Sequence, residues 1–278
     1  MKIGFIDYYL DEWHANAYPK MIREASGGEI EAVYAYGQEV SPLTGRDSEA
    51  WCIKRGLTLC RTIEEVIEKS DALVVLSPDN VEMKQELSRL ALMSGKPTYV
   101  DKTFAPDKKT AEAMFALAEA HNTPCYSTSA LRFAEEYQPY QGKEIKAISL
   151  FGGCDADTYS VHQLEPLMML MQGRVKRVMA LNQEKWVNVM LEWEDGRNAS
   201  ILCTGADETP FGGNILTESG CDYVQVKSKF FEGFIANLVE FFRTGNIPVN
   251  HEETIHIMAV RTAVLNAVET PGVWINVE

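Results

Sequence analysis

Apolar and β-branched runs recur at residues 2 to 7 (KIGFID), 30 to 36 (IEAVYAY), 71 to 77 (DALVVLS) and 97 to 101 (PTYVD), with helical patterns between them. Parallel strands need a crossover connection, so this alternation predicts a parallel sheet. From Asp79 to Ser94 the apolar residues Met83, Leu87, Leu90 and Ala91 share one helical face, Asp79 and Glu82 are spaced as a capping box, and Gly95 is a stop signal. Another helix is predicted from about Asp107 to His121, with Ala111, Met114, Phe115 and Ala118 at helical spacing. Residues 1–125 therefore read as a doubly wound, Rossmann-like α/β domain with right-handed crossovers.

The pattern changes after that. KAISLFGG, RVKRVMALNQ, KWVNVMLEW, NASILCTG and CDYVQVK are strand-like runs joined by turns such as Glu194-Asp195-Gly196, with one helical stretch, HQLEPLMMLMQG, among them. A strong amphipathic helix follows, striped by Phe231, Phe234, Ile235, Leu238, Val239 and Phe242 and stopped at Gly245. A last helix spans about Glu252 to Glu269. Residues 126–278 are thus expected to form a C-terminal α+β domain with a mostly antiparallel, open sheet.

Composition narrows the function classes. The chain has 278 residues, 46% of them hydrophobic and 24% charged, enough for two packed cores. Its formal charge of −14 repels phosphate backbones and anionic lipid surfaces, so no nucleic-acid or membrane partner is expected. MKIGFID runs straight into a strand pattern with no export signal, which predicts a cytoplasmic location. The cysteines Cys52, Cys60, Cys125, Cys154, Cys203 and Cys221 form no CxxC pair and are expected to be reduced and mostly buried. His251 and His256, five apart, do not share a helical face, so no metal site is predicted.

The order of elements and several local strings resemble the Gfo/Idh/MocA oxidoreductases, the glucose-fructose oxidoreductase and inositol dehydrogenase family. Ser77-Pro78-Asp79-Asn80 matches its TP-like step, and Gly95-Lys96-Pro97-Thr98-Tyr99-Val100-Asp101-Lys102-Thr103 its GK-strand-EKP segment. Ala130-Leu131-Arg132-Phe133 matches its N-x-R-F-like string, and Thr158-Tyr159-Ser160-Val161-His162-Gln163-Leu164-Glu165 its D-x-G-x-H-x-x-D string. The resemblance implies hydride exchange between NAD or NADP and a sugar-like or polyol substrate, and a homo-oligomer formed through the C-terminal sheet. It puts Lys102 at the C-terminal edge of the parallel sheet, where its ammonium holds a developing oxyanion, and makes His162 the acid/base. The family's His-orienting Asp falls at Thr158, with Asp157 beside it as the substitute. Arg132 and Thr158 are candidate substrate contacts, and Glu165 is expected near solvent at its helix start.

One part of the pattern is lost. The three glycine positions of the family's G-x-G-x-x-G fall at Asp7, Tyr9 and about Glu12, and Tyr36-Gly37-Gln38 stands where the ribose-binding acid belongs. A tyrosine fills space that the pyrophosphate needs, and carboxylates at Asp7, Asp11 and Glu12 repel its charge. A cofactor held here would depend on Asp7, Tyr8, Tyr9 and Tyr36, with adenine stacked on a tyrosine, and on the sheet edge at Ser77, Pro78 and Asn80. Three readings stay open: an oxidoreductase with altered cofactor binding; a dinucleotide-free relative performing elimination or isomerisation on a carbohydrate; and a non-catalytic metabolite-binding or oligomer subunit.

Overall fold

The structure is a computed structural model that describes residues 1–153, 155–206 and 208–278. The chain forms two compact units, Met1–Thr128 with Phe234–Thr254, and Ser129–Gly233 with Ile255–Glu278.

In the first unit the chain alternates β1 (Lys2–Asp7), α1 (Trp13–Ala25), β2 (Glu31–Gly37), α2 (Ser48–Arg55), β3 (Thr58–Leu59), α3 (Ile63–Lys69), β4 (Ala72–Val75), α4 (Lys84–Leu92), β5 (Thr98–Val100), α5 (Lys108–Ala120) and β6 (Cys125–Tyr126). The strands lie in the order β3-β2-β1-β4-β5-β6, and every pair is parallel. All of β4 is buried, as expected for a parallel strand covered on both faces. A Cβ on Gly4 would meet Val66 Cγ1 at 2.3 Å, so only glycine lets α3 lie this close to β1.

Two expectations need correction here. The predicted capping box does not form: a 3-10 turn at Val81–Met83 precedes α4, whose N-cap Met83 makes no side-chain cap bond. The Asp79 carboxylate accepts instead from the Tyr9 hydroxyl at 2.8 Å, and Glu82 accepts from Asn80 at 3.0 Å. Sequence pattern also assigned all residues after 125 to one domain, whereas Phe234–Thr254 belongs to the first unit. The cause is aromatic: the Phe234 ring lies 5.4 Å from Tyr99 and 5.7 Å from Tyr18, and Phe241 lies 4.7 Å from Tyr126.

The rest of the chain comprises β7 (Ile145–Gly152), α6 (Ser160–Met171), β8 (Val175–Gln183), β9 (Trp186–Trp193), β10 (Asn198–Cys203), β11 (Gly212–Thr217), β12 (Gly220–Gln225), α7 (Phe230–Thr244), α8 (His251–Glu269) and β13 (Ile275–Asn276). The second sheet runs β12-β11-β7-β10-β9-β8-β13, antiparallel except for the β7–β10 pair. Alternate positions of β9, Val187, Val189, Leu191 and Trp193, are buried, while Trp186 is exposed. Arg197 closes the C-terminal end of α6 by donating to the carbonyl oxygens of Met171 at 2.6 Å and Gln172 at 3.2 Å.

The fold is α/β, with a Rossmann-like parallel sheet and a second, mostly antiparallel sheet. Cys52, Cys60 and Cys125 are buried free thiols and Cys221 is an exposed one; Cys203 is buried, and Cys154 lies outside the described residues. Among the described residues no helix is long and apolar enough to cross a membrane, and no cluster of His, Cys, Asp and Glu is placed to hold a metal.

Candidate functional site

The turn between β1 and α1 is closed by its own side chains. Asp7, Tyr9, Leu10, Asp11 and Glu12 are each at most 5% exposed. Glu12 is the N-cap of α1, and its carboxylate accepts the backbone N–H groups of His14, at 2.7 Å, and of Ala15. These first-turn amides, at the positive end of the helix, are the groups that would otherwise face an anion. Asp7 repeats the arrangement one strand away. Its Oδ1 accepts the Ser77 N–H at 2.9 Å, while Oδ2 is buried with no hydrogen-bond partner among the described residues. Burial and then the Glu12 charge push the Asp7 carboxyl well above the usual range, against the opposing pull of the Ser77 and Tyr8 N–H groups. Ser77 adopts a left-handed φ of 63° and donates its hydroxyl to Asn80 O at 2.9 Å.

The other residues expected to grip a cofactor are placed as follows. Tyr9 is 5% exposed and bonded to Asp79, whereas Tyr8 and Tyr36 are half-buried. Pro78 is buried, and Asn80 is half-buried and donates to Glu82. Leu10 packs over the end of β2: a Cβ on Gly37 would meet Leu10 Cγ at 2.9 Å. A cleft of about 400 Å3 remains beyond β2, lined by Tyr36, Glu39, Asp47, Glu49 and Arg61.

At the end of β5, Asp101 and Lys102 are 1% and 4% exposed. The Tyr99 hydroxyl donates to Asp101 Oδ1 at 3.0 Å, and Asp101 Oδ2 is buried without a partner among the described residues. Burial, and then the Asp101 charge, push the Tyr99 and Tyr18 phenols up. Beneath this turn lies a residue that the sequence reading passed over. Lys84, wholly buried, donates from Nζ to the carbonyl oxygens of Asp101 at 2.6 Å and Lys102 at 2.9 Å. Burial pushes its amine down to about 7; the Lys102 charge acts the same way, and the carboxylates of Asp101, Asp7 and Glu12 act against it. A lysine three residues before Leu87 on the buried stripe of a helix was the available signal.

In the second unit, His162 lies in the first turn of α6, and its Nδ1 meets Ser129 Oγ at 2.6 Å. The Tyr159 ring stacks on it at 5.2 Å. Asp157 was expected to orient this histidine. It is bonded elsewhere: its carboxylate and its carbonyl oxygen accept from Arg261, at 2.5 Å and 2.9 Å. Thr158 is half-buried and donates its N–H to Asp155 at 2.6 Å. Glu165, expected near solvent, is 2% exposed and accepts from Arg132 Nε at 2.8 Å, because α6 is covered on nearly every side. Ser129 was missed; a serine directly before the ALRF string carried no pattern of its own.

No family model and no curated protein matches the chain. Solved structures do, over the whole length. A myo-inositol dehydrogenase from Corynebacterium glutamicum is 12% identical, with a TM-score of 0.78 over 100% of this chain and 99% of its own. The WlbA dehydrogenase from Bordetella pertussis, solved with NADH and UDP-GlcNAcA, is 14% identical, with a TM-score of 0.76 over 100% of this chain and 98% of its own. A probable dehydrogenase from Thermotoga maritima is 12% identical, with a TM-score of 0.77 over 100% of this chain and 99% of its own.

The chain shares the fold of these structures, with a Rossmann-like parallel sheet. That fold implies a dinucleotide whose pyrophosphate lies across the turn after β1. The residues present do not fit that placement: the α1 amides already hold Glu12, the Ser77 N–H already holds Asp7, and Tyr9 and Leu10 are packed between them. Bringing phosphate charges there sets them against the buried Glu12 carboxylate, where repulsion exceeds its value of about 1 kcal/mol in bulk water.

Proposed function

We propose that this chain is a Gfo/Idh/MocA-type protein that performs proton transfer on a sugar-like or polyol-derived carbonyl compound without a dinucleotide. The observation that carries this reading is the pair of internal carboxylates, Glu12 and Asp7, on the amides where a pyrophosphate would lie. In this reading the His162 imidazole takes a proton from the carbon beside a substrate carbonyl. With a hydroxyl on that carbon, the C–H electron pair forms an enediolate whose oxygen accepts a hydrogen bond from the Lys102 ammonium; the hydroxyl proton passes to that oxygen and the His162 imidazolium returns its proton to the former carbonyl carbon, so the carbonyl moves one carbon along with no outside oxidant. The exposed Trp186, Leu181 and Tyr223 of the second sheet support pairing with a second copy of the chain, which light scattering of the purified protein checks.

A second reading, an oxidoreductase of the same substrate class holding NAD or NADP away from the β1–α1 turn, is favoured by the full-length likeness to the WlbA dehydrogenase solved with NADH. One experiment separates the two. The protein is incubated in D2O with a panel of keto-sugars and keto-polyols, deuterium uptake is read by NMR, and NADH and NADPH are titrated in parallel by nicotinamide fluorescence. Deuterium uptake lost in both Lys102→Ala and His162→Ala, with no saturable dinucleotide binding at millimolar concentration, supports the first reading. Saturable NADH or NADPH binding overturns it in favour of the second, and neither uptake nor binding overturns both.

A further inference from the structure

We infer that Lys84 is a positioning residue for Lys102: its buried amine pins the two peptide groups on either side of the Lys102 Cα and so aims that side chain. The inference rests on the reading in which Lys102 is the cation of the site. The geometry is specific. Lys84 Nζ donates to the carbonyl oxygen of Asp101 at 2.6 Å, which belongs to the peptide before Lys102, and to that of Lys102 at 2.9 Å, which belongs to the peptide after it. Peptide groups are planar, so fixing both planes fixes φ and ψ at residue 102 and with them the direction of its Cα–Cβ bond.

Packing alone does not call for a lysine here. The neighbouring inward positions of α4 are Leu87, Ser88, Ala91 and Leu92, and a methionine would fill the same volume without desolvating an amine. Nor does local helix chemistry account for it, since Lys84 is the first residue of α4, where the helix dipole disfavours a cation. What the amine supplies is a pair of donors for two successive carbonyls beyond the end of β5.

The test needs no substrate. Competitive trace labelling with acetic anhydride, read by mass spectrometry of the peptide carrying Lys102, gives the reactivity of that amine in the intact chain. Three proteins are compared: wild type, Lys84→Met, which removes the donors, and Lys84→Gln, which keeps an NH2 donor pair. Lys84→Met is expected to change the Lys102 labelling rate at least tenfold. Lys84→Gln is expected to keep the rate within about threefold of wild type. A Lys102 labelling rate unchanged in both variants, whatever happens to the melting temperature, overturns the inference and leaves Lys84 a structural tie. If the rate responds as expected but deuterium uptake is indifferent to Lys102→Ala, the proton-transfer reading fails and the positioning role stands.

Discussion

Glu12 and His14 are joined twice: Glu12 Oε2 accepts the His14 backbone N–H at 2.7 Å and lies 2.8 Å from the His14 ring Nδ1. Together with the bond from the Ala15 amide, this makes the carboxylate an internal anion for the helix terminus.

Removing that anion has two expected effects of opposite sign. Glu12→Ala loses an N-cap and is expected to cost about 1 kcal/mol of stability in urea unfolding. It also vacates the first-turn amides, so NADH or inorganic pyrophosphate is expected to bind on the order of tenfold tighter than to wild type or more, since one close carboxylate–phosphate repulsion is gone. Fluorescence titration and calorimetry read this. Equal or weaker affinity in the variant would mean that Glu12 does not close the turn.

The Ser129 hydroxyl and His162 Nδ1 meet at 2.6 Å, and either can be the donor. With Nδ1–H donating to Ser129, Nε2 keeps the lone pair that a general base needs. His162→Ala is expected to lower deuterium uptake by about 10²- to 10⁴-fold. Ser129→Ala is expected to lower it less, and to shift the midpoint of its pH profile with KM nearly unchanged. A Ser129→Ala profile that overlays wild type would remove Ser129 from the site.

How much of this was legible depends on what each signal encodes. Strands β1, β4 and β5 and helix α5 followed from periodicity, because burial on one or both faces leaves a pattern in the residues themselves. The start of α4 did not. Asp79 and Glu82 have capping-box spacing, but Tyr9, a residue seventy positions away, takes the Asp79 carboxylate. The aromatic stripe of α7 said that a face is buried without saying against what, so the return of Phe234–Thr254 to the first unit was invisible. At the site, the loss of glycines at positions 7, 9 and 12 was plain. That Glu12 turns back onto its own helix, rather than only repelling a ligand, required coordinates, as did the exchange of Asp157 for Ser129 as the partner of His162.

Arg132 and Glu165 form a buried ion pair within the second unit, with side chains 10% and 3% exposed and 2.8 Å between Nε and Oε2. Breaking such a pair strands a charge without water, so Glu165→Ala is expected to destabilise by about 3–5 kcal/mol. Replacing both partners, Arg132→Met with Glu165→Leu, leaves no stranded charge and is expected to recover most of that loss. Urea unfolding of the single and double variants measures it. A double variant as unstable as the single one would show that the pair does more than neutralise itself.

Lys84 also makes the stability of the fold depend on pH. Its amine sits at about 7 in the folded chain against an ordinary value of 10.5. Between those values the unfolded chain binds a proton that the folded chain does not, so this group makes the unfolding free energy rise by about 1.4 kcal/mol per pH unit. Below about 7 both states are protonated and the contribution is flat at its least favourable. Asp7 works the other way: its carboxyl is raised by burial, so its contribution is fully present below the unfolded carboxylate value and is lost as pH rises through the folded one. Lys102, Asp101 and Glu12 face the same amine, so the comparison isolates Lys84 by difference. Lys84→Met lacks the titrating group, and its stability relative to wild type is expected to fall as pH rises from 7 to 9, by about 1.4 kcal/mol per unit. Urea unfolding at three pH values measures this slope, and parallel stability curves for the two proteins would mean that Lys84 keeps its proton throughout that range.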